Sequence, residues 1–376
     1  PVAVYVAGAL WNWNGSKVDR EGIGASEEMI VRMGEKLAGE RDYDVFGPTP
    51  EEEVFRGVGY FPKAAIRKAP ENAVLLVSRS PASIKRIDQW SGCERDAVLH
   101  LQDTRYPDLT PEVAVRYRTI VCVSDWHAEL TARDTFGEHS WRQEAWPKQE
   151  GGSGRIRRVY NWLDRSHFQA GIDTGWQGVK QPFHFVYASS PDRGVVKLLE
   201  LWPRVLDICP QATLAIFYGW KGAARLGTGM DSHWNKRYLE SRRRYEALRH
   251  QKGIQEFGMV NHYQLALEYQ KASVWAYPTD FHETGCLSAC KARAAGAVPV
   301  TSALAALNET AACLQGTLVD RIGLDGRHQE GYDEAWLEGV KKALAVSVEE
   351  RQTMARKAVE DFSWEAVKDA WAEILS

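Results

Sequence analysis

Short apolar segments alternate with longer amphipathic segments along the whole chain. Ala73–Ser78 and Ile120–Ser124 are almost continuously apolar, as strands are when helices cover both faces of a parallel sheet. Met29, Met33 and Leu37, in contrast, recur at helical spacing. Strands that alternate with helices in this way predict an α/β fold with parallel sheets.

The predicted strands form two series. The first comprises Val2–Ala7, Asp42–Phe46, Ala73–Ser78, Ala97–Leu101, Ile120–Ser124 and Arg155–Tyr160. The second comprises Phe183–Ala188, Ala212–Tyr218, Gly253–Phe257, Ser273–Pro278, Val298–Thr301 and Thr317–Val319. Two such series predict two Rossmann-like domains that face each other across a cleft. The Gly-rich segment Ala170–Gln181 favours a boundary there, which gives domains over 1–175 and 182–361.

The segment Tyr277–Thr301 concentrates candidate chemistry. A predicted strand ends at Pro278, and Glu283 then opens a predicted helix that runs to about Ala295, with an acid where the helix dipole favours one. Ligands of open α/β sheets bind at the carboxyl ends of strands. Unpaired backbone N–H groups at the start of this helix would point at such a ligand, namely those of Gly285, Cys286 and Leu287.

This segment resembles the donor-sugar motif of retaining GT-B glycosyltransferases, the family that includes sucrose and glycogen synthases and bacterial mannosyltransferases. In that motif a Glu opens the helix, Gly follows two places later, and a run of small residues ends in Gly and then Pro-Val. Glu283, Gly285, Ala294–Gly296 and Pro299–Val300 match. The resemblance implies that Glu283 is a catalytic residue that binds hydroxyls of the donor sugar. A simple helix cap is the alternative role for this carboxylate.

The largest departure from the motif is Lys291, which stands where a second Glu is expected to bind the ribose. Lysine offers hydrogen-bond donors and no acceptor. We therefore expect ribose recognition to be weakened or moved, with Lys291 paired with Glu283 or in contact with a phosphate. A Lys291 side chain that points to solvent is the alternative.

Other parts of the chain resemble the family in the same order. The segment Gly22–Ser26 resembles the loop that approaches the donor phosphates, and Phe257–Val260 resembles the turn that reads the nucleobase. Arg193-Gly194 matches a pair that contacts the diphosphate, although Ala188 replaces an upstream Arg. The final segment, 362–376, resembles the helix that crosses back onto the N-terminal domain. The implied donor-binding residues are Gly22, Gly24, Ser26, Ser189, Ser190, Arg193, Gly258, Met259, Gly285, Cys286, Leu287 and Lys291.

The acceptor is expected at loops that follow strands of the first series. Aromatic, amide and charged side chains cluster there and suit a hydroxylated partner stacked on a ring. Gln102-Asp103 stands where the family often has His-Asp, and we take Asp103 as a second catalytic candidate. Asp103 as a helix cap and His127 as a helix-face residue remain open. The candidate acceptor-binding residues are Trp11, Trp13, Arg105, Trp126 and His127.

Composition narrows the class of protein without fixing the acceptor. At 376 residues, with 44% hydrophobic and 26% charged residues, the chain suits about two domains of a soluble protein. No membrane span or signal pattern is evident, and six Cys without a CxxC pair suit a cytoplasmic protein. The net charge of -3 argues against a uniform nucleic-acid surface. The basic segments Arg155–Arg158 and Lys236–Arg249 nevertheless keep DNA open as an acceptor.

The sequence thus predicts a cytoplasmic hexosyltransferase that needs a nucleotide-sugar co-substrate and no cofactor. No metal is expected, because Asp42-Tyr43-Asp44 lies at the wrong end of its strand for a metal-binding DxD motif. The expected acceptor is a saccharide or a small molecule. One alternative is a phage-type enzyme that glycosylates hydroxymethylated pyrimidines in DNA. A nucleotide-sugar epimerase and a non-catalytic nucleotide-sugar binder are the others.

Overall fold

The structure, a computed structural model, describes residues 1–7, 12–91, 94, 96–137, 155–220, 233–323 and 325–376. The chain divides into two compact units. Unit 1 comprises Pro1–Asn161 and Val367–Ser376, and unit 2 comprises Trp162–Ala366. Each unit is built around one largely parallel sheet.

The sheet of unit 1 has eight strands in the order β3-β4-β2-β1-β5-β6-β7-β8. All neighbouring strands are parallel except β3, which pairs antiparallel with β4 at the edge. The strands are β1 (Val2–Val6), β2 (Tyr43–Gly47), β3 (Glu53–Phe55), β4 (Val58–Pro62), β5 (Val74–Ser78), β6 (Ala97–His100), β7 (Thr119–Cys122) and β8 (Ile156–Arg158). The predicted strands of the first series are confirmed within a few residues, and β3 and β4 are additional.

The helices of unit 1 lie between these strands. They are α1 (Gly15–Glu21), α2 (Ala25–Leu37), α3 (Ser83–Ser91), α4 (Pro111–Ala114) and α5 (Asp125–Phe136). Helix α1 lies in the segment after β1, which contains none of the predicted helices. This helix forms because the Asn14 side chain accepts a hydrogen bond from the backbone N–H of Lys17, 3.1 Å away, and so caps its first turn.

The sheet of unit 2 is entirely parallel, with the order β11-β10-β9-β12-β13-β14. Its strands are β9 (His184–Ala188), β10 (Thr213–Phe217), β11 (Ile254–Gly258), β12 (Val274–Tyr277), β13 (Val298–Ser302) and β14 (Thr317–Val319). Its described helices are α6 (Gln169–Thr174), α7 (Val195–Ile208), α8 (His233–Leu248), α9 (His262–Lys271), α10 (Leu287–Ala294), α11 (Leu307–Thr310), α12 (Tyr332–Leu344) and α13 (Val348–Phe362). The last helix, α14 (Trp364–Ile374), begins in unit 2 and ends in unit 1.

The units divide at Asn161, before the Gly-rich segment that the sequence favoured as a boundary. That segment belongs to unit 2 because other parts of unit 2 bind it. Gln352 donates a hydrogen bond of 2.6 Å to the carbonyl of Ile172. The buried Trp176 ring lies directly against Gly296, where any side chain would collide with it.

The end of the chain packs on unit 1. Trp371 is buried and meets the His100 ring edge-on, with ring centroids 5.3 Å apart. Arg118 and Arg41 donate hydrogen bonds to the carbonyls of Ile374 and Leu375, at 2.6 and 3.0 Å. These contacts attach the segment Val367–Ser376 to the rest of unit 1.

Candidate active site

Both sheets reverse their strand order at one point, and this is where open α/β sheets bind ligands. In unit 2 the chain proceeds outward from β9 to β11 and then returns to the other side of β9 at β12. In unit 1 the corresponding reversal lies between β1 and β5. Loops at the carboxyl ends of these strand pairs therefore border the two candidate crevices.

In unit 2, a glycine brings the loops after β9 and β12 together. Gly194 has a φ of 123°, and a Cβ on it would lie 2.7 Å from the carbonyl oxygen of Pro278. Only glycine tolerates both this backbone conformation and this approach. Gly194 thereby places Arg193 beside the segment that follows β12.

The structure brings Glu283 and Arg193 together, as two of the predicted site residues. Arg193 Nη1 lies 3.3 Å from Glu283 Oε1 and 3.4 Å from Oε2. The Tyr277 hydroxyl donates a hydrogen bond of 2.6 Å to Oε1. All three side chains come from the carboxyl ends of β9 and β12 at the crevice of unit 2.

Glu283 does not open the helix, which corrects the prediction. Helix α10 begins at Leu287, four residues later. The carbonyl of Glu283 accepts a hydrogen bond from the backbone N–H of Ala306, 3.1 Å away, instead of one from the next helical turn. A tertiary contact thus overrides the local helix signal, and the role of a helix-capping carboxylate no longer applies.

Arg193 combines a charged partner with an unused donor. Its guanidinium lies over the Phe281 ring, 4.0 Å from the centroid, and the side chain is 34% exposed. Burial alone would lower the pKa of Arg193, but the combined effect of Glu283, Tyr277, Asp192 and Tyr218 raises the pKa above its ordinary value. Among the described residues, no acceptor binds its buried Nε–H group. A buried donor without an acceptor is costly, so this group is suited to an oxygen atom of a ligand.

The two serine hydroxyls after β9 are engaged within the protein, and their part in donor binding stays a prediction. The Tyr277 proton goes to Glu283, so Ser189 Oγ, 3.2 Å from the Tyr277 hydroxyl, is the donor of that pair. Burial raises the pKa of Tyr277 well above its ordinary value, which keeps this proton on the phenol. Ser190 Oγ donates to Asp192 Oδ1 in a short hydrogen bond. Ser189 and Ser190 retain acceptor capacity only.

The start of α10 offers main-chain atoms rather than side chains to a ligand. The Cys286 and Leu287 side chains are buried, and Cys286 precedes the helix without capping it through its side chain. Burial also raises the pKa of the Cys286 thiol well above its ordinary value. Any contribution of these residues and of the preceding Gly285 to donor binding therefore comes from backbone N–H groups.

The predicted nucleobase turn lies at the end of the edge strand β11. Gly258 has a φ of 66° and open space where a side chain would be, and its carbonyl accepts a hydrogen bond from the backbone N–H of Tyr218. Phe257 stacks on the Phe217 ring with centroids 4.9 Å apart. The open space at Gly258 leaves main-chain atoms accessible beside the half-buried Met259. Recognition of the nucleobase by this turn stays a prediction.

Lys291 is buried, which excludes the alternative that it points to solvent. Its side chain is on α10, the residue is 4% exposed, and Nζ lies 3.2 Å from Nδ1 of His262. His262 is the first residue of α9 and follows the loop after β11. The position that departs most from the family motif is thus joined to the predicted nucleobase turn through a histidine.

Unit 1 also has an arginine at its crevice, but this arginine is fully engaged. Arg79, directly after β5, donates from Nε and Nη2 to the two oxygens of Asp103, at 2.8 and 2.9 Å. Its Nη1 donates to Oε1 of Glu27, 3.1 Å away. Arg79 has a φ of 61°, a strained conformation for a residue with a side chain. The catalytic candidate Asp103 is 45% exposed at its side chain and is oriented by this pair.

Glu27 lies where the predicted phosphate loop would bind an anion. The loop consists of Gly22, Gly24 and Ser26 before and at the start of α2, and a Cβ on Gly24 would lie 2.5 Å from Glu27 Oε2. Burial raises the pKa of Glu27, and Arg79 opposes that shift. A phosphate can use this helix end only if the Glu27 carboxylate moves. Donor binding by Gly22, Gly24 and Ser26 stays a prediction.

Two of the predicted acceptor-binding residues belong to the core of unit 1. Trp13 is buried and packs edge-on against Tyr60, with ring centroids 6.3 Å apart, so it cannot stack on a sugar. His127 is 1% exposed, its Nδ1 accepts from the backbone N–H of Val123, and burial lowers its pKa to about 4. Trp126 is half-buried, Arg105 is exposed, and Trp11 lies outside the described residues.

Four arginines of the basic segments pair with acids of the same unit. In α8, Arg243, Arg244 and Arg249 pair with Glu240, Glu200 and Glu246, respectively. In β8, Arg158 pairs with Asp125 at 3.3 Å. These pairs reduce the positive charge that the four arginines offer to a DNA backbone.

Sequence reasoning missed four residues that shape the two crevices: Tyr277, Phe281, Arg79 and Glu27. Arg79 and Tyr277 could have been noted because each is at the carboxyl end of a strand next to a reversal of strand order. Their partners come from distant segments, and no spacing in the sequence indicates them.

The two doubly wound sheets define the GT-B class of folds. A sucrose-phosphate synthase from Thermosynechococcus elongatus superposes over the whole chain and 98% of its own length, with a TM-score of 0.67 and 15% identity. A UDP-forming trehalose-phosphate synthase from Burkholderia vietnamiensis matches the whole chain and 99% of its own, with a TM-score of 0.65 and 11% identity. Anabaena HepE in complex with UDP-glucose matches the whole chain and 99% of its own length, with a TM-score of 0.62 and 15% identity.

The GT-B fold predicted from the sequence is thereby confirmed. No protein-family model matches the chain, and no curated protein matches it either. Within the part of the chain that the structure describes, no helix is both long and apolar enough to cross a membrane. The same residues include no group of three or more His, Cys, Asp or Glu side chains placed to bind a metal ion.

Proposed function

We propose that the chain is a retaining glycosyltransferase that transfers a sugar from a nucleotide-sugar to a hydroxyl group of a saccharide or small molecule. The observation that carries the proposal is the pairing of Glu283 with Arg193 at the crevice of unit 2, where a buried Nε–H group lacks an acceptor. A carboxylate suits sugar hydroxyls, and a guanidinium suits a diphosphate. The fold shared with a protein bound to UDP-glucose supports this choice of donor.

In this proposal the diphosphate is a leaving group whose negative charge grows as the glycosidic bond breaks. Arg193 and the backbone N–H groups at the start of α10 stabilise that charge from fixed positions, so no metal ion is needed. Attack occurs on the face that the leaving group vacates, and the departing phosphate takes the proton of the acceptor hydroxyl. A protein nucleophile is then unnecessary.

A saccharide or small-molecule acceptor is preferred to DNA because the net charge is -3 and four arginines of the basic segments are already paired. Arg243, Arg244 and Arg249 of α8 and Arg158 of β8 already pair with carboxylates, which weakens their attraction for phosphates. Asp103, exposed and oriented by Arg79, adds negative charge to the crevice of unit 1 and suits a neutral, hydroxylated partner.

The proposal is tested by calorimetric titration with UDP-, GDP-, ADP- and dTDP-sugars, followed by a donor-hydrolysis assay without acceptor. Binding of one donor and slow release of the nucleoside diphosphate, with the anomeric configuration of the sugar retained, are expected. Scrambling of the sugar at its 2-position would identify an epimerase instead. Binding without any turnover, with or without a panel of saccharide acceptors, would identify a binding protein.

A further inference from the structure

Tyr277 fixes one oxygen of the Glu283 carboxylate before any ligand arrives. Its hydroxyl lies 2.6 Å from Oε1, and Arg193 Nη1 lies 3.3 Å from the same atom. Oε2 receives the weaker of the two Arg193 contacts, at 3.4 Å. Oε1 is therefore the better satisfied oxygen, and Oε2 has more capacity left for a ligand.

The phenol ring cannot move away from this position. Tyr277 is completely buried, its ring stacks on Trp275 with centroids 4.9 Å apart, and Tyr187 flanks it at 5.7 Å. Ser189 donates to the Tyr277 oxygen from the loop after β9. A directed chain of hydrogen bonds thus runs from Ser189 through Tyr277 to Glu283.

We propose that Tyr277 is a positioning residue that holds Oε1 of Glu283, so that Glu283 recognises a single hydroxyl of the donor sugar through Oε2. This inference rests on the proposed function. A freely rotating carboxylate could accept hydrogen bonds from two neighbouring hydroxyls, which the sequence alone would predict. The Tyr277 contact removes one of those two acceptor positions.

The test is a double-mutant cycle on kcat/KM for donor hydrolysis with Tyr277→Phe, Glu283→Gln and the double variant. Loss of one hydrogen bond to a charged group predicts a decrease of about ten- to a hundredfold for Tyr277→Phe, mainly in kcat. The same change should have almost no effect in the Glu283→Gln background, because Tyr277 acts through that carboxylate. Equal losses in both backgrounds would show a general structural role and overturn the inference.

Tyr332→Phe is the matched control, because it removes another buried hydroxyl of unit 2, which contacts Ser302 at 2.7 Å. It should leave kcat/KM unchanged. Ser189→Ala provides a second route if Tyr277→Phe unfolds: it removes the donor to Tyr277 and should reduce the rate severalfold, again only when Glu283 is present. A Ser189→Ala effect that persists in Glu283→Gln would also overturn the inference.

Donor analogues that each lack one sugar hydroxyl test whether Glu283 recognises a single hydroxyl. Removal of one particular hydroxyl should lower kcat/KM in the wild-type protein but not in Glu283→Gln. Such a loss at two adjacent positions of the sugar would contradict the inference. Failure of the wild-type protein to bind any nucleotide-sugar would refute the proposed function and this inference together. If the protein binds a donor but the effects of Tyr277→Phe and Glu283→Gln on kcat/KM are additive, this inference alone is refuted.

Discussion

The crevices of the two units each contain an arginine at the reversal of strand order, yet the two arginines are bonded differently. Arg79 of unit 1 uses Nε, Nη1 and Nη2 on two carboxylates. Arg193 of unit 2 has one carboxylate partner and a buried Nε–H group without an acceptor in the described structure. The cluster in unit 1 has excess negative charge, whereas that in unit 2 is balanced and has a donor to spare. The same topological position thus holds a fully engaged arginine in one unit and, in the proposed function, an arginine that binds an anion in the other.

The largest expected effect is on stability and concerns Arg79. Arg79→Leu leaves the buried Glu27 carboxylate unpaired, which should lower the free energy of unfolding by about 3–5 kcal/mol. Urea unfolding followed by tryptophan fluorescence measures this change. Glu27→Gln in the same chain should recover part of the loss. Arg193→Leu should cost less, since Tyr277 still donates to Glu283, and equal costs would remove the contrast between the units.

The second prediction concerns the rate and Arg193. Arg193→Ala should lower the rate of nucleoside diphosphate release by about 10²–10³-fold, as the loss of one preorganised donor to a growing negative charge does. Arg193→Lys preserves the charge but cannot supply the planar set of N–H donors, so it should recover only part of the rate. Turnover by Arg193→Ala close to that of the wild-type protein would refute the role in anion binding.

The third prediction is a loss of about 10²-fold in rate for Glu283→Gln, with the unfolding transition almost unchanged. The amide retains the shape of the side chain but lacks the charge that binds a sugar hydroxyl and pairs with Arg193. Asp103→Asn is the matched change in unit 1, and it should reduce transfer to the acceptor without affecting donor hydrolysis. An equal effect of both variants on hydrolysis would contradict the assignment of Glu283 to the donor and of Asp103 to the acceptor.

The smallest expected effect is the decrease in the stability of unit 1 on acidification. Burial lowers the pKa of His100 and of His127 to about 3 and about 4, from an ordinary value of 6.5. Between pH 6.5 and about 4 the unfolded chain binds these protons and the folded protein does not, so stability decreases on acidification. Each histidine contributes a slope of up to about 1.4 kcal/mol per pH unit.

The slope is measured by urea unfolding at several pH values, and His127→Asn should reduce it. Glu27 opposes the histidines, because burial raises its pKa and its protonation on acidification stabilises the folded protein. Two histidines outweigh one carboxyl group, so the net slope keeps the sign given above. Stability that is independent of pH between 6.5 and 5 would contradict the burial of the two neutral rings.

The sequence predicted the fold better than the site because the two depend on contacts of different range. Continuous apolar segments reveal buried strands directly, and the order of two strand series implied both sheets. The start of α10 could not be predicted, since the backbone of Ala306 intercepts the Glu283 carbonyl from a later loop. Trp13 was misassigned for a similar reason: its ring meets Tyr60 of a strand that the sequence analysis did not predict.

The composition of unit 1 from two separate segments affects the order in which the protein can be completed during synthesis. Unit 2 is continuous, so every one of its residues is translated before the segment Val367–Ser376. Until then Arg118 lacks the carbonyl of Ile374 and His100 lacks the ring of Trp371. The second unit in the sequence is therefore the first to be translated in full, and unit 1 gains its last contacts only afterwards.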